Sequence, residues 1–231
     1  MRKQVISINL GMVKAFLIKD EKYVLVDTGL PQSYKRIKDF FRENKIDPKD
    51  ISLIILTHNH IDHSGGIIKM KALTGAEVLI HKIESTYLVK GISTPVQARS
   101  ILAKIIMKLM KKPIIGGFKA DLLIENGFDL RPFGVNGKVI HTPGHTEGSL
   151  SILLANGEAI VGDMISGKHK KDCNLAKYPF IWNDMSALKN SMKVLLDKGA
   201  KLFYNAHGEV CNDLAIKNLL EKDRGECIWL S

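Results

Sequence analysis

Cysteine is scarce in this chain: Cys173, Cys211 and Cys227 are the only three in 231 residues. Their odd number and the lack of a close pair imply no disulfide framework, zinc knuckle or redox dithiol, and point to free thiols in a reducing compartment. Long apolar runs are also missing. No segment reaches the roughly 18 apolar residues a membrane span needs, and the N-terminal MRKQVISINLGMVKAFLIKD has basic residues but no signal-peptide core. The expectation is a cytoplasmic chain with no transmembrane segment. Aromatics are only 6% of the residues and are not interleaved with basic ones, which disfavours a nucleic-acid footprint. Acidic residues are the minority charge: 34 Lys and Arg face 24 Asp and Glu, a net +10. That excess would draw anionic substrates, nucleic acid or acidic surfaces from a distance without choosing among them, and a solvated lysine-rich surface accounts for it more simply.

What is present reads as an ordinary globular chain, 45% hydrophobic and 25% charged, long enough to bury a substantial core. VKAFLIKD and KYVLVDT have strand patterns, PQSYKRIKDFFRENKI has helical spacing behind a first-turn proline, and ISLIILT suits a strand buried on both faces. A helix at about 66–73 and the strand AEVLIH continue the alternation. Further on, SLSILLA and EAIVGD flank Asn156-Gly157, which predicts a hairpin with a two-residue turn and positive φ at both positions. A helix at about 185–198, the strand KLFYNA and a helix from about Asn212 follow. The segment 84–120 departs from this rhythm. Its stretch PVQARSILAKIIMKLMKKP places Ile101, Leu102, Ile105, Ile106 and Leu109 on one helical face and Lys104, Lys108, Lys111 and Lys112 on another. With seven basic and no acidic residues over 90–119, it reads as a helix packed over a sheet edge or as a lid on a substrate pocket.

Chemistry concentrates in Thr57-His58-Asn59-His60-Ile61-Asp62-His63-Ser64-Gly65-Gly66, directly after the buried-strand pattern. His58 and His60, two apart, can project to one side of an extended strand end. Asp62 and His63 follow where the chain turns into a helix and can face a neighbouring point. A catalytic zinc needs about three protein ligands and an open position, so other segments must contribute. His145 in His-Thr-Pro-Gly-His-Thr, Asp163 in Val-Gly-Asp and His207 in Asn-Ala-His-Gly each lie where a strand pattern gives way to a loop. Beside each is a small residue or glycine that permits close approach.

His-x-His-x-Asp-His, then Thr-Pro-Gly-His-Thr, Gly-Asp and Ala-His-Gly in that order, with Val26-Asp27-Thr28-Gly29 upstream, resemble the metallo-β-lactamase superfamily from Asp27 to His207. The resemblance implies an α/β fold, a four-layer αββα sandwich of two mixed β-sheets flanked by helices, with the site at one edge of the packed sheets. It implies a single domain over 1–231, with 84–120 as a helical insertion. It assigns His58, His60 and His145 to one metal, Asp62, His63 and His207 to a second, Asp163 to both, and Asp27 to a carboxylate that orients a ligand or the loop backbone. His81, His141 and His169 match no ligand position, and Cys211 reads as a packed thiol on the last helix.

Such a pair of divalent ions, zinc first, with iron or manganese admitted by the donor set, implies hydrolysis by a metal-held hydroxide that Asp62 orients. The flavodiiron branch has an acidic residue where His60 stands, and exported two-zinc β-lactamases have a cysteine where Asp163 stands. Ser166 occupies the position of a tyrosine common in quorum-quenching lactonases. The expectation is a glyoxalase II-like hydrolase acting on a small-molecule thioester, carboxylic ester or lactone. A phosphodiesterase or ribonuclease resembling the tRNA-processing endonucleases, and a non-catalytic metal-binding domain, are the alternatives; oligomeric state is left open.

Overall fold

In the computed structural model, which describes residues 4–97, 116–167 and 175–225, β-branched and leucine-rich segments form two sheets whose inner faces pack together. Sheet one contains β1 (Val5–Asn9), β2 (Lys14–Lys19), β3 (Tyr23–Val26), β4 (Ile51–Ile55), β5 (Glu77–His81) and β6 (Leu122–Ile124), in that order. β1 to β3 pair antiparallel, whereas β3 to β6 run parallel. The parallel members need crossovers, and these are helices. α1 (Tyr34–Glu43) connects β3 to β4; α2 (Ile61–Ser64) and α3 (Ile67–Thr74) connect β4 to β5; α4 (Lys82–Leu88) follows β5. α1 starts later than Pro31 suggested, because Ser33 N–H first closes a turn onto the Leu30 carbonyl at 2.8 Å.

Sheet two is made of β7 (Gly127–Asp129), β8 (Gly137–His141), β9 (Leu150–Leu154), β10 (Glu158–Ile160), β13 (Leu202–Tyr204) and β14 (Cys211–Asn212). Its order is β14-β13-β10-β9-β8-β7. Only β10 and β13 pair parallel, and α5 (Met185–Asp197) lies between them in sequence. α6 (Asp213–Gly225) follows β14, and β11 (Ser166–Gly167) pairs with β12 (Ala176–Lys177) as a small separate ribbon.

Alternation along the strands divides the core into three slabs. Between the sheets, Phe16, Val24, Val26, Leu53, Ile55 and Leu79 meet Val139, Ile152, Ile160 and Tyr204. Phe16 and Tyr204 touch edge to face at 6.1 Å. The opposite side chains of sheet one, among them Leu17, Leu25 and Ile54, pack on Ile37, Phe41, Ile67 and Met70 of α1 and α3. On the far side of sheet two, Ala159 and Phe203 pack on Leu188, Met192, Leu195 and Ile216 of α5 and α6. Ile51, Leu53, Ile54 and Ile55 of β4 are all buried, which is what a strand covered on both faces requires. The molecule therefore has helix, sheet, sheet and helix layers, as the sequence resemblance implied.

Two local expectations are corrected. β9 and β10 do form an antiparallel pair, with Leu153 opposite Ala159, so three residues, not two, close the loop. Gly157 N–H donates to the Leu154 carbonyl at 3.0 Å, and Gly157 alone adopts positive φ, at 87°. This is a turn followed by one left-handed glycine, which leaves Asn156 in ordinary backbone geometry. Cys211 is buried, as expected of a packed thiol, but it opens β14 and is not part of the last helix. The helical stretch read over 95–113 lies outside the described residues from 98 onward, as do His169, Cys173 and Cys227. Among the described residues no helix is long and apolar enough to cross a membrane.

Candidate metal centre

Five strand ends meet at one edge of the sandwich. Asp27 follows β3, His58 and His60 follow β4, the loop carrying His145 follows β8, Asp163 follows β10 and His207 follows β13. His60 is still extended, at φ −88° and ψ 152°, and serves as the N-cap of α2, so Asp62 and His63 lie in that helix's single turn. The change from strand end to helix explains how one short segment serves two adjacent points. Gly162 makes the next approach possible: its φ is 50°, and a Cβ there would stand 2.8 Å from Thr57 Oγ1. A side chain at that position would push Asp163 away from the cluster.

Seven side chains form two contiguous groups. His58, His60, His145 and Asp163 each offer an atom within 4.8 Å of the others, and Asp62, His63 and His207 do the same. Asp163 also reaches the second group: its carboxylate oxygens lie 3.2 Å from His63 Nε2 and 3.4 Å from His207 Nε2, besides 3.6 Å from His145 Nε2 in the first. His207 Nε2 lies 3.3 Å from Asp62 Oδ2. All seven positions named from the sequence are thus brought together. His81 and His141 stand apart, stacked on one another at 4.3 Å.

Each histidine has its outer nitrogen occupied. His60 Nε2 donates to the Thr94 carbonyl at 3.1 Å, His145 Nδ1 to the Ile181 carbonyl at 2.8 Å and His207 Nδ1 to the Met12 carbonyl at 2.9 Å. His63 Nδ1 donates to Asp27 Oδ2 at 2.8 Å. Asp27 also accepts from the backbone N–H and the hydroxyl of Thr57, both at 2.8 Å, so it orients a ring and the loop backbone together. The Thr57 oxygen in turn accepts from His58 Nδ1 at 3.0 Å. Asp27 does this from the left-handed region, at φ 62°, a conformation that asparagine and aspartate tolerate better than most side chains.

With the outer nitrogens of His58, His60 and His145 donating, their inner ones carry lone pairs, and these face each other across short gaps. His58 Nε2 and His145 Nε2 lie 3.0 Å and 3.1 Å from His60 Nδ1. His63 Nε2 and Asp163 Oδ1 are buried 3.2 Å apart without a well-formed hydrogen bond to each other or to any other group among the described residues. Converging lone pairs with no proton between them repel, and orphaned buried polar atoms are costly. A divalent cation relieves both. Three imidazoles plus a carboxylate, beside two imidazoles plus carboxylates, is a donor set that suits zinc and also admits iron or manganese.

The electrostatics divide along the same line. Burial, reinforced by neighbouring histidines, lowers His58 well below its ordinary value and His60 to about 3, and burial also lowers His145. These rings are neutral acceptors. Burial alone would lower His63, but Asp163, Asp27 and Asp62 hold it well above the ordinary value. Asp163 lifts His207 to about 10 against its burial. Burial would raise both carboxylates, yet His63 and His207 bring Asp62 down to about 2 and hold Asp163 well below its usual value. The second group is thus an ionised cluster in which protons occupy places that a cation can take.

Thr57 and the carbonyls of Met12, Thr94 and Ile181 were not identified from the sequence. Thr57 sat inside the quoted motif and could have been suspected as a hydroxyl beside His58. The carbonyls carry no sequence signal, since every residue has one.

The family model for the metallo-beta-lactamase superfamily matches residues 8–207. A probable metallo-hydrolase of Methanocaldococcus jannaschii is 27% identical over 205 residues, which cover 87% of this chain and 90% of that protein. An atrochrysone carboxyl ACP thioesterase of Aspergillus chevalieri is 26% identical over 204 residues, covering 87% of this chain and 52% of the thioesterase. Among solved structures, a metallo-beta-lactamase family protein from Thermus thermophilus superposes with a TM-score of 0.69 at 20% identity, covering 97% of this chain and 79% of that one.

Proposed function

Because the chain belongs to the metallo-beta-lactamase superfamily, we propose that it is a binuclear metal-dependent hydrolase whose substrate is a thioester, carboxylic ester or lactone. In this reading His58, His60 and His145 hold one divalent cation, Asp62, His63 and His207 hold the other, and Asp163 bridges them. The observation that carries it is the convergence of seven metal-ligating side chains into two adjoining groups, with the acceptor nitrogens of His58, His60 and His145 facing one another and the His63 Nε2–Asp163 Oδ1 pair buried at the junction. Two divalent cations, zinc by preference, would when bound supply Lewis acidity and lower the pKa of a water toward neutrality, so that no separate strong base is needed.

The chain's own groups do the orienting. Asp27 and the three backbone carbonyls fix the rings so that their acceptor nitrogens point inward. The Asp62 side chain is 25% exposed and that of Asp163 is 12% exposed, so Asp62 is the more open of the two carboxylates. Asp62 would accept a hydrogen bond from the attacking water and aim that water at the scissile carbonyl. An aspartate at position 163 supports ester or thioester chemistry over the two-zinc β-lactamase pattern, and the similarity to a thioesterase points the same way.

The test is elemental analysis of the purified chain together with a panel of thioester, lactone, carboxylic-ester and phosphodiester substrates, before and after chelation and metal restoration. About two metals per chain and chelator-sensitive turnover of an acyl substrate are expected. Turnover of phosphodiesters alone would reassign the substrate class, and a chain that stays metal-free after reconstitution would overturn the proposal.

A further inference from the structure

Glu84 on α4 is fully buried yet has no place among the ligands. A carboxylate removed from water is costly unless hydrogen bonds replace its hydration. Three donors do so here. Oε2 accepts from the Asn59 backbone N–H at 2.8 Å and from the Thr94 hydroxyl at 2.6 Å, and Oε1 accepts from the Gly148 N–H at 3.2 Å.

These donors belong to three separate segments, each of which carries or clamps a histidine of the first group. Asn59 lies between His58 and His60. Thr94 offers its carbonyl to His60 Nε2 at 3.1 Å and donates its own N–H to the Asn59 carbonyl at 3.0 Å. Gly148 lies in the loop that begins at His145 and is closed by Thr146 N–H on Ser149 Oγ at 3.1 Å. That loop presses close against the carboxylate: a Cβ at Gly148 would stand 2.6 Å from Glu84 Cγ and 2.9 Å from Oε1. Asn59, Thr94 and Gly148 are far apart in sequence and meet on one carboxyl group.

We infer that Glu84 is a positioning residue that fixes the spacing of His58, His60 and His145 and thereby sets the affinity of that half of the centre for its cation. The inference rests on the metal assignment proposed above. Among the described residues, Glu84 reaches the first group through Asn59, Thr94 and Gly148. Glutamine in its place keeps the volume but puts an NH2 group against donors that need an acceptor, which shifts at least one of the three segments. Loss of such outer partners costs ten- to a hundredfold in metal affinity.

Glu158 provides the control. It is a buried carboxylate at the other end of β10 from Asp163, and its Oε2 accepts from the Gln4 N–H and from Asn156 Nδ2, each at 2.7 Å. Zinc affinity of the full chain is read by competition with a chromophoric chelator, and circular dichroism checks the fold. E84Q is expected to fold and to bind zinc about ten- to a hundredfold more weakly at one site, with a smaller change at the other. E158Q is expected to lower the melting temperature and leave both affinities in place. A folded E84Q with wild-type affinity at both sites, or an equal loss in E158Q, overturns the inference. If E84Q does not fold, T94V removes the hydroxyl arm alone and decides the matter: weaker zinc binding at one site supports the inference, and unchanged binding overturns it. A wild-type chain that takes up neither zinc nor iron nor manganese overturns the metal assignment itself, a result the E84Q comparison cannot mimic.

Discussion

Asp62 combines two demands in one carboxylate. It faces His207 Nε2 at 3.3 Å, and its side chain is a quarter open to solvent. Asp62→Ala should therefore reduce hydrolysis by about two to four orders of magnitude while circular dichroism stays that of the wild type, because no described core cluster rests on this side chain. Wild-type rates in that variant would remove Asp62 from the mechanism. At this scale the sequence was informative where side chains carry the chemistry. His58, His60, Asp62, His63, His145, Asp163 and His207 could all be named because imidazoles and carboxylates at strand ends are conspicuous, and Asp27 through the Val-Asp-Thr-Gly resemblance. Glu84 was not, since one glutamate at the start of a helix looks like any solvated helix residue until three remote donors are seen to surround it.

Among the elements, β2, β3, β4, β5, β9, β10 and β13 were the legible strands. β4 and β5 announce themselves as apolar, β-branched runs between helical patterns, whereas β7, β11, β12 and β14 have only two or three residues each and too little pattern to read. The β9–β10 loop shows a finer limit: Asn-Gly marked the turn correctly, but register decides loop length, and register is set by the partner strand. β6 illustrates how a short strand is held. Asp121, just before it, accepts from Val78 N–H at 2.8 Å and from Lys71 Nζ at 2.7 Å. Burial would raise this carboxyl, but Lys71 and the Val78 N–H hold it below its ordinary 3.8. A folded-state value below the unfolded one means the stabilisation is present above pH 3.8 and is lost as pH falls through the lower folded value. Because the pair is partly exposed, Asp121→Asn should cost only about 0.2–1 kcal/mol at neutral pH. Urea midpoints for the two proteins should converge as the pH drops below about 3.8; a gap that stays constant would show that the carboxylate charge contributes nothing.

For the whole molecule, the centre joins the two sheets at their common edge, since Asp27, His58, His60 and His63 come from sheet one and His145, Asp163 and His207 from sheet two. Cations bound there should stabilise the sandwich as a unit. Zinc at about a hundred times its Kd adds about 2.7 kcal/mol per site, and for a chain of this length each kcal/mol raises Tm by roughly 2–4 °C. Chelator-treated protein should accordingly melt about 5–10 °C lower for each site emptied and recover on zinc addition. Identical melting curves would mean that the folded chain holds no cation in preference to the unfolded one. The backbone clamps have a different kind of consequence. The rings of His60, His145 and His207 are secured by the carbonyls of Thr94, Ile181 and Met12, groups that any residue supplies. Thr94 is also tied through its hydroxyl to Glu84, but the side chains of Ile181 and Met12 can drift over evolutionary time without loosening the metal cradle. A lineage built on this scaffold can explore new substrates by ordinary point substitution while its inherited chemistry stays intact.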